Sequence, residues 1–295
     1  MKNTINIGIG FATGRRSFQN VLKTYLYNWQ ESGICYDENI NFNLFVAYDL
    51  NYKNTPSTEF TNLSQEVVDF FDDIYFVGEK ETSKECKKLV EDKTITEADC
   101  RLIFGTGYAS SRNAVVYSAI KNKMDYLIFL DDDEYPMAVT KAHSTAIWSG
   151  QHVLMSHLES IRDADITNGL HCGYISPIPH IEFDETLTEG DFKVFIEAIS
   201  NDILSWDKLR ALMESGGVTY ADTSVLIKSE PEEVAETGGC KFISGGNLCL
   251  NLTDKTRVFP FYNPPGARGE DTFLSTCLSE RKVVRVPCYT FHDGF

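Results

Sequence analysis

Four acidic side chains in a row, Asp131-Asp132-Asp133-Glu134, follow a continuously apolar stretch from Tyr126 to Leu130. Like charges that close repel unless a cation sits among them, and carboxylates are hard oxygen donors suited to Mg²⁺ or Mn²⁺. A cation held there would neutralise the two phosphates of a nucleotide diphosphate, so departure of a diphosphate is the chemistry the run suits. A solvated acidic turn is the plainer reading of any charge run. Placement directly after a buried strand favours the ligand role, because α/β sheets collect ligands at the carboxyl ends of their strands. A second acidic pair, Glu270-Asp271, follows Gly266-Ala267-Arg268-Gly269 and opens a stretch that reads as a helix. Such a pair complements the helix dipole, and it can also remove a proton from an attacking hydroxyl.

The elements that must position these groups alternate between strand and helix. Thr4 to Phe11 reads as a buried strand running into the loop Ala12-Thr13-Gly14-Arg15-Arg16. From Ser17, a plausible N-cap, the residues Phe18, Leu22, Tyr25, Leu26 and Trp29 recur at helical spacing, and Gly33 is the expected stop. Phe42 to Tyr48 predicts a strand ending at Asp49, Leu63 to Phe71 a helix, and Ile74 to Val77 a strand. Glu79 to Asp99 reads as a surface helix or excursion. A helix over Ala109 to Lys123 then feeds the apolar strand before the acidic run. In the second half, Ala138 to Ser149 and Phe192 to Met213 are expected to be helical, and Gly169 to Ile175 and Thr223 to Ile227 to be strands.

Upstream of the acidic run lies Gly105-Thr106-Gly107-Tyr108-Ala109-Ser110-Ser111-Arg112-Asn113-Ala114. A G-x-x-x-x-R-N stretch, a helix, an apolar strand and then D-x-D resembles the donor-binding half of GT-A glycosyltransferases, in particular the large inverting family of bacterial polysaccharide and cell-surface enzymes. The resemblance spans roughly Ile5 to Asp271. It implies an α/β, Rossmann-like fold, a mostly parallel sheet flanked by helices; the distance from Asp133 to Glu270 is longer than in compact family members, and the excess is expected to form an acceptor-side insertion around Glu182 to Thr237. It also implies one domain over 1–295, with a nucleotide-binding half at 1–136 and an acceptor-binding half at 137–295. Its implied activity is transfer of a sugar from a nucleotide diphosphate sugar, UDP by default, to a hydroxyl of a glycan, lipid-linked or protein acceptor.

By the same resemblance, Phe11, Ala12, Thr13 and Asp49 surround the nucleoside, and Arg112 contacts the base or a phosphate. Asp131 and Asp132 face the donor. Asp131, Asp133 and His292 hold Mn²⁺ or Mg²⁺. Gly245 and Gly246, within Ser244-Gly245-Gly246-Asn247, underlie the donor sugar, and of Glu270 and Asp271 the second is the favoured base. Arg15 and Arg16 carry guanidinium forks that suit a diphosphate. Each residue also has a plainer reading: Asp49 as a loop cap, Arg112 as a helix-start arginine on the surface, His292 as part of a frayed terminus. His171, Cys172 and His180 lack a second matching pair and do not read as zinc ligands. Trp148, Trp206, Tyr174, Phe242 and Tyr262 include candidate sugar-stacking rings.

Composition narrows the rest. The 295 residues carry a net charge of -16, which argues against a nucleic-acid partner. Eight cysteines without C-x-x-C pairs, and no signal peptide, predict reduced thiols and a cytoplasmic protein. No apolar stretch is long enough to span a bilayer, so any membrane contact would be peripheral. A sugar-nucleotide nucleotidyltransferase and a noncatalytic carbohydrate-binding protein retaining the fold are the competing readings.

Overall fold

The computed structural model describes residues 4–51, 54–174, 182–199, 206–214, 216–263 and 269–294. The first half alternates as expected: β1 (Ile5–Thr13), α1 (Phe18–Ser32), β2 (Ile40–Tyr48), the short helices α2 (Thr58–Thr61) and α3 (Gln65–Phe70), and β3 (Asp73–Val77). Then come α4 (Glu79–Glu91), α5 (Glu97–Phe104), α6 (Tyr108–Lys121) and β4 (Tyr126–Phe129). The apolar stripe of α1 is buried through Phe18, Leu22, Tyr25, Leu26 and Trp29, and Trp29 stacks on Phe42 at 6.1 Å. Gly33 ends the helix in a left-handed conformation, φ 78°, as its position predicts. Ser17 stands at the N-cap without a side-chain cap bond.

The second half contains β5 (Glu134–Tyr135), β6 (Met137–Ala142), β7 (Thr145–Gly150), α7 (Val153–Ile161) and β8 (Ile166–Tyr174). It continues with α8 (Glu189–Ile199), α9 (Trp206–Glu214), β9 (Val218–Thr219), α10 (Thr223–Lys228) and β10 (Glu232–Glu233). It closes with β11 (Leu248–Asn251), α11 (Glu270–Ser275) and β12 (Val283–His292). The main sheet runs β10-β12-β8-β11-β4-β1-β2-β3. β3, β2, β1 and β4 are mutually parallel, and β8 and β12 run the same way. β11 lies antiparallel between β4 and β8. This is the Rossmann-like α/β plan, with helices on the sheet and, among the described residues of 182–237, the elements α8 to β10. No helix among the described residues is long and apolar enough to cross a membrane.

Three expectations are corrected. Ala138 to Ser149 is the β6–β7 hairpin, turning at His143 with φ 53°, so Val139, Trp148 and their neighbours follow the two-residue period of a strand pair. Thr223 to Ile227 is the helix α10, because Asp222 caps it by accepting the Ser224 N–H at 2.8 Å. Phe192 to Met213 is helical among its described residues, as α8 and α9. Cys86 and Cys100 are joined as a disulfide, not held as reduced thiols, because α4 and α5 bring their Cα atoms to 5.9 Å.

Beneath the sheet's centre, fully buried His157 on α7 bonds Thr167 Oγ1 at 2.7 Å and Asn247 Oδ1 at 2.8 Å. Burial pushes its pKa from 6.5 down to about 4, so the folded protein keeps the ring neutral. The unfolded chain binds a proton first, and the stability that His157 contributes is therefore complete above pH 6.5 and falls as pH drops toward 4. Relative to a His157→Gln variant, whose amide does not titrate, wild type should lose about 2–3 kcal/mol of unfolding free energy between pH 7.5 and 4.5. Urea midpoints measured at both pH values check this, and a difference between the two proteins that stays constant refutes it.

Candidate active site

The carboxyl ends of β1, β2 and β4 open on one side of the sheet, and the motifs separated in sequence meet there. A cleft of about 220 Å³ is lined by Ala12, Gly14, Arg15, Tyr108, Arg112, Asp131, Asp132, Asp133, Gly245, Gly269, Glu270 and Asp271. Beside it, Ala12, Thr13, Gly14, Asp49, Gly107, Tyr108 and Ser111 line a smaller pocket. Beyond that, Asp49 and Ser111 also belong to a groove of about 390 Å³ that reaches Val77, Arg101 and Phe104. A short chamber of carboxylates thus continues, through the pocket at Asp49, into a longer groove.

Arg112 holds the inner wall together. Its guanidinium donates from Nε to Glu270 Oε1 at 3.0 Å, from Nη1 to the Gly245 carbonyl at 2.8 Å and from Nη2 to Asp131 Oδ1 at 2.9 Å. The Phe129 and Phe261 rings lie 5.1 and 5.7 Å from its Cζ. Gly245 and Gly246 are glycines because of close approach. A Cβ on Gly245 would stand 2.8 Å from Arg112 Nη2, and one on Gly246 would stand 2.7 Å from Asp131 Oδ2 and 2.8 Å from Glu134 Oε2. Gly246 therefore backs the acidic run, while Gly245 faces the cleft.

Each member of the acidic run has a basic neighbour: Arg112 at Asp131, Arg15 at Asp132 and Asp133, His292 at Asp133 and His171 at Glu134. Burial and the neighbouring carboxylates push Asp131 up to about 6 even though Arg112 opposes the shift. Burial also raises Asp132, which accepts from the Thr13 hydroxyl and from Arg15 Nη1 at 3.3 Å. Partial burial of Asp133 works to raise its pKa, but His292 and Arg15 hold it below the usual carboxylate range. Arg15 donates directly to Asp133 Oδ2, and His292 Nε2 lies 3.4 Å from the same oxygen. The bond to Asp133 pulls His292 up to about 9, and the Tyr174 carbonyl engages its Nδ1. Glu134 turns away from the cleft, pairing with His171 Nδ1 at 2.9 Å and accepting the Thr290 hydroxyl at 2.8 Å. His171 Nε2 reaches Ser244 Oγ at 2.6 Å.

The Asp131, Asp132 and Asp133 carboxylates that line the cleft are hard oxygen donors of the kind a divalent cation takes, whereas His292, paired with Asp133 at 3.4 Å, is not among the cleft's lining residues. Among the described residues no three such side chains stand gathered around a metal-sized point, and Arg15 supplies the positive charge at Asp132 and Asp133.

The two helix-start acids differ in their surroundings. Glu270 is buried and committed to Arg112. Asp271 lines the cleft, accepting the Gly245 N–H on Oδ2 at 3.0 Å and the Thr272 N–H on Oδ1 at 2.8 Å, which leaves one lone pair on each oxygen. Of the other expected residues, Ala12, Thr13, Arg15 and Asp49 line the cleft or its adjoining pocket, whereas the Phe11 ring is fully buried against Phe18 and offers a ligand only its backbone. Arg268 and His180 lie outside the described residues. Sequence reasoning gave no role to Tyr108 and Ser111, although both belong to the stretch that carried Arg112. It also missed the chain Glu134, His171 and Ser244, which joins three distant elements.

No family model matches the chain, and no curated protein matches its sequence. Among solved structures, mouse xyloside xylosyltransferase 1 in its apo form aligns at 10% identity and a TM-score of 0.27, over 56% of this chain and 53% of that one. The mannosyltransferase Ktr4p from S. cerevisiae, in complex with GDP, aligns at 13% identity and a TM-score of 0.31, over 94% of this chain and 61% of that one. The aligned parts span less than two thirds of either protein's length.

Proposed function

We propose that the chain is a metal-dependent glycosyltransferase that moves a sugar from a nucleotide diphosphate sugar to an acceptor hydroxyl by direct displacement. One observation carries this reading: Asp131–Asp133 and Glu270–Asp271, more than a hundred residues apart in sequence, line one cleft that continues into a groove. Asp133 with His292 would hold Mn²⁺ or Mg²⁺, with Asp131 and Asp132 beside it, and the cation would neutralise the leaving diphosphate. Asp271 takes the acceptor proton, because its carboxylate faces the cleft and is oriented by two backbone N–H groups. Glu270 keeps its charge on Arg112 and positions the wall. The groove at Asp49 takes the nucleoside, with UDP as the default, and residues 137–295 supply the acceptor side for a glycan, lipid-linked or protein hydroxyl.

A thermal-shift panel of UDP, GDP, CDP and dTDP and their sugars, with and without Mn²⁺, tests the reading. A ligand that binds only the folded state raises its stability by about 2.7 kcal/mol at a hundredfold excess over Kd. A metal-dependent shift with one nucleotide class is the expected result. No shift with any member overturns the donor site.

A further inference from the structure

We propose that Cys86–Cys100 is a thiol–disulfide exchange site whose state sets the order of α4 and, through it, the width of the groove beside Asp49. Both cysteines are lining residues of that groove, along with Asp49, Thr82 and Arg101. The helices they join are anchored unequally. α5 is fixed to the body through buried Cys100 and through the Asn113 side chain, which donates to the Ile103 carbonyl at 2.8 Å. α4 has no buried residue at all. Beside it, between β3 and α6, lies an open pocket of about 360 Å³ lined in part by Glu81, Thr82, Glu85 and Cys86 of α4. Besides the disulfide, its side-chain ties include Glu85 to Lys121 Nζ at 2.6 Å and to the Tyr117 hydroxyl at 3.3 Å, both near the surface. Exposed ion pairs of this sort hold little by themselves. Segments with few buried apolar contacts are the ones that open locally, and the covalent bond is what restrains this one.

Cys86 is half-buried and open to a reagent, and Cys100 is buried, so attack falls on Cys86. A dithiol's thiolate forms a mixed disulfide with Cys86 Sγ and expels the Cys100 thiolate. The reagent's second thiol then closes on the first and releases the Cys86 thiolate. The protein gains two electrons and the two protons of the dithiol, which leaves as a cyclic disulfide. The other six cysteines are free, so reduction changes no other bond.

The effect on nucleotide rests on the proposed donor site, whereas the effect on α4 does not, and the experiment separates them. Hydrogen exchange at residues 79–91 is measured on the full chain, oxidised and after dithiothreitol, alongside titrations of UDP and GDP with Mn²⁺. Reduction should speed exchange throughout α4 and weaken the nucleotide by about tenfold, the size of an ordinary coupling between sites. The double variant Cys86→Ser, Cys100→Ser should match the reduced protein and ignore dithiothreitol. Equal exchange in the two states, or a response of the double variant to dithiothreitol, overturns the proposal. Faster exchange with unchanged nucleotide affinity overturns the control of the groove and leaves the donor site standing. Faster exchange with no nucleotide bound in either state supports the exchange site and removes the proposed function instead.

Discussion

Asp271→Asn should lower the transfer rate by about 10²–10⁴-fold, the span typical of a lost general base, while nucleotide affinity stays within a few fold of wild type. Asparagine fills the same space but cannot take a proton. Its amide must also set an NH₂ against either the Gly245 or the Thr272 N–H, since both carboxylate oxygens now accept one. That mismatch costs about 1–3 kcal/mol of stability if the side chain stays put, and less if it turns into the cleft. Two readouts therefore have to be taken together: the turnover number with saturating donor, and the nucleotide dissociation constant with the unfolding midpoint. Glu270→Gln is the comparison. Its partner is the buried Arg112 guanidinium, so its loss should appear first in stability, with the rate following the damaged wall. A variant at Asp271 that transfers sugar at the wild-type rate would show that the proton leaves by another route.

The elements that locate these residues were legible wherever a local pattern decides the outcome. β4 is a run of four buried apolar residues, and nothing but a central strand accommodates it next to an acidic turn. α1 carries its own stripe and its own glycine stop. The errors fall where two local signals compete. In the hairpin from Met137 to Gly150 the alanines suit a helix, and the turn at His143 has no glycine to announce it. In α10 the β-branched Thr223 and Val225 suit a strand, while the Asp222 cap starts the helix. The candidate site shows the same division. The acidic residues were found because their types are unusual in their positions, but their assignments depend on partners far away in the chain. Gly245 lies 133 residues from Arg112, and Glu270 lies 158 residues from it. The pairing of Cys86 with Cys100 likewise depends on how α4 meets α5, which spacing in the sequence does not state.

Arg112 is where that long-range bonding matters most, and Arg112→Met should destabilise the fold by about 3–5 kcal/mol, the usual result of removing one partner of a buried ion pair. The methionine stem can keep much of the packing between Phe129 and Phe261, which isolates the charge from the volume. What it cannot keep are the three bonds that join the end of β4, the Gly245 turn and the start of α11. Asp131 and Glu270 would then be carboxylates without their shared cation, in a chain whose total stability is of order 5–15 kcal/mol. Resemblance to nucleotide-sugar enzymes points Arg112 at the donor's base or phosphate, whereas the structure commits its guanidinium to protein groups. The two roles differ in what Arg112→Lys does. A donor ligand replaced by lysine should lose nucleotide affinity at unchanged stability. A positioning residue should lose stability and turnover, because an ammonium cannot reproduce the planar fork, while nucleotide affinity changes less. The double variant Arg112→Met, Glu270→Gln settles which description holds. If the arginine acts by holding the carboxylate, the second substitution should recover part of the first loss, since the uncompensated charge is gone, and the two effects should fail to add by more than about 0.5 kcal/mol. Strict additivity, with nucleotide affinity carrying the whole effect of Arg112→Lys, would return the guanidinium to the donor.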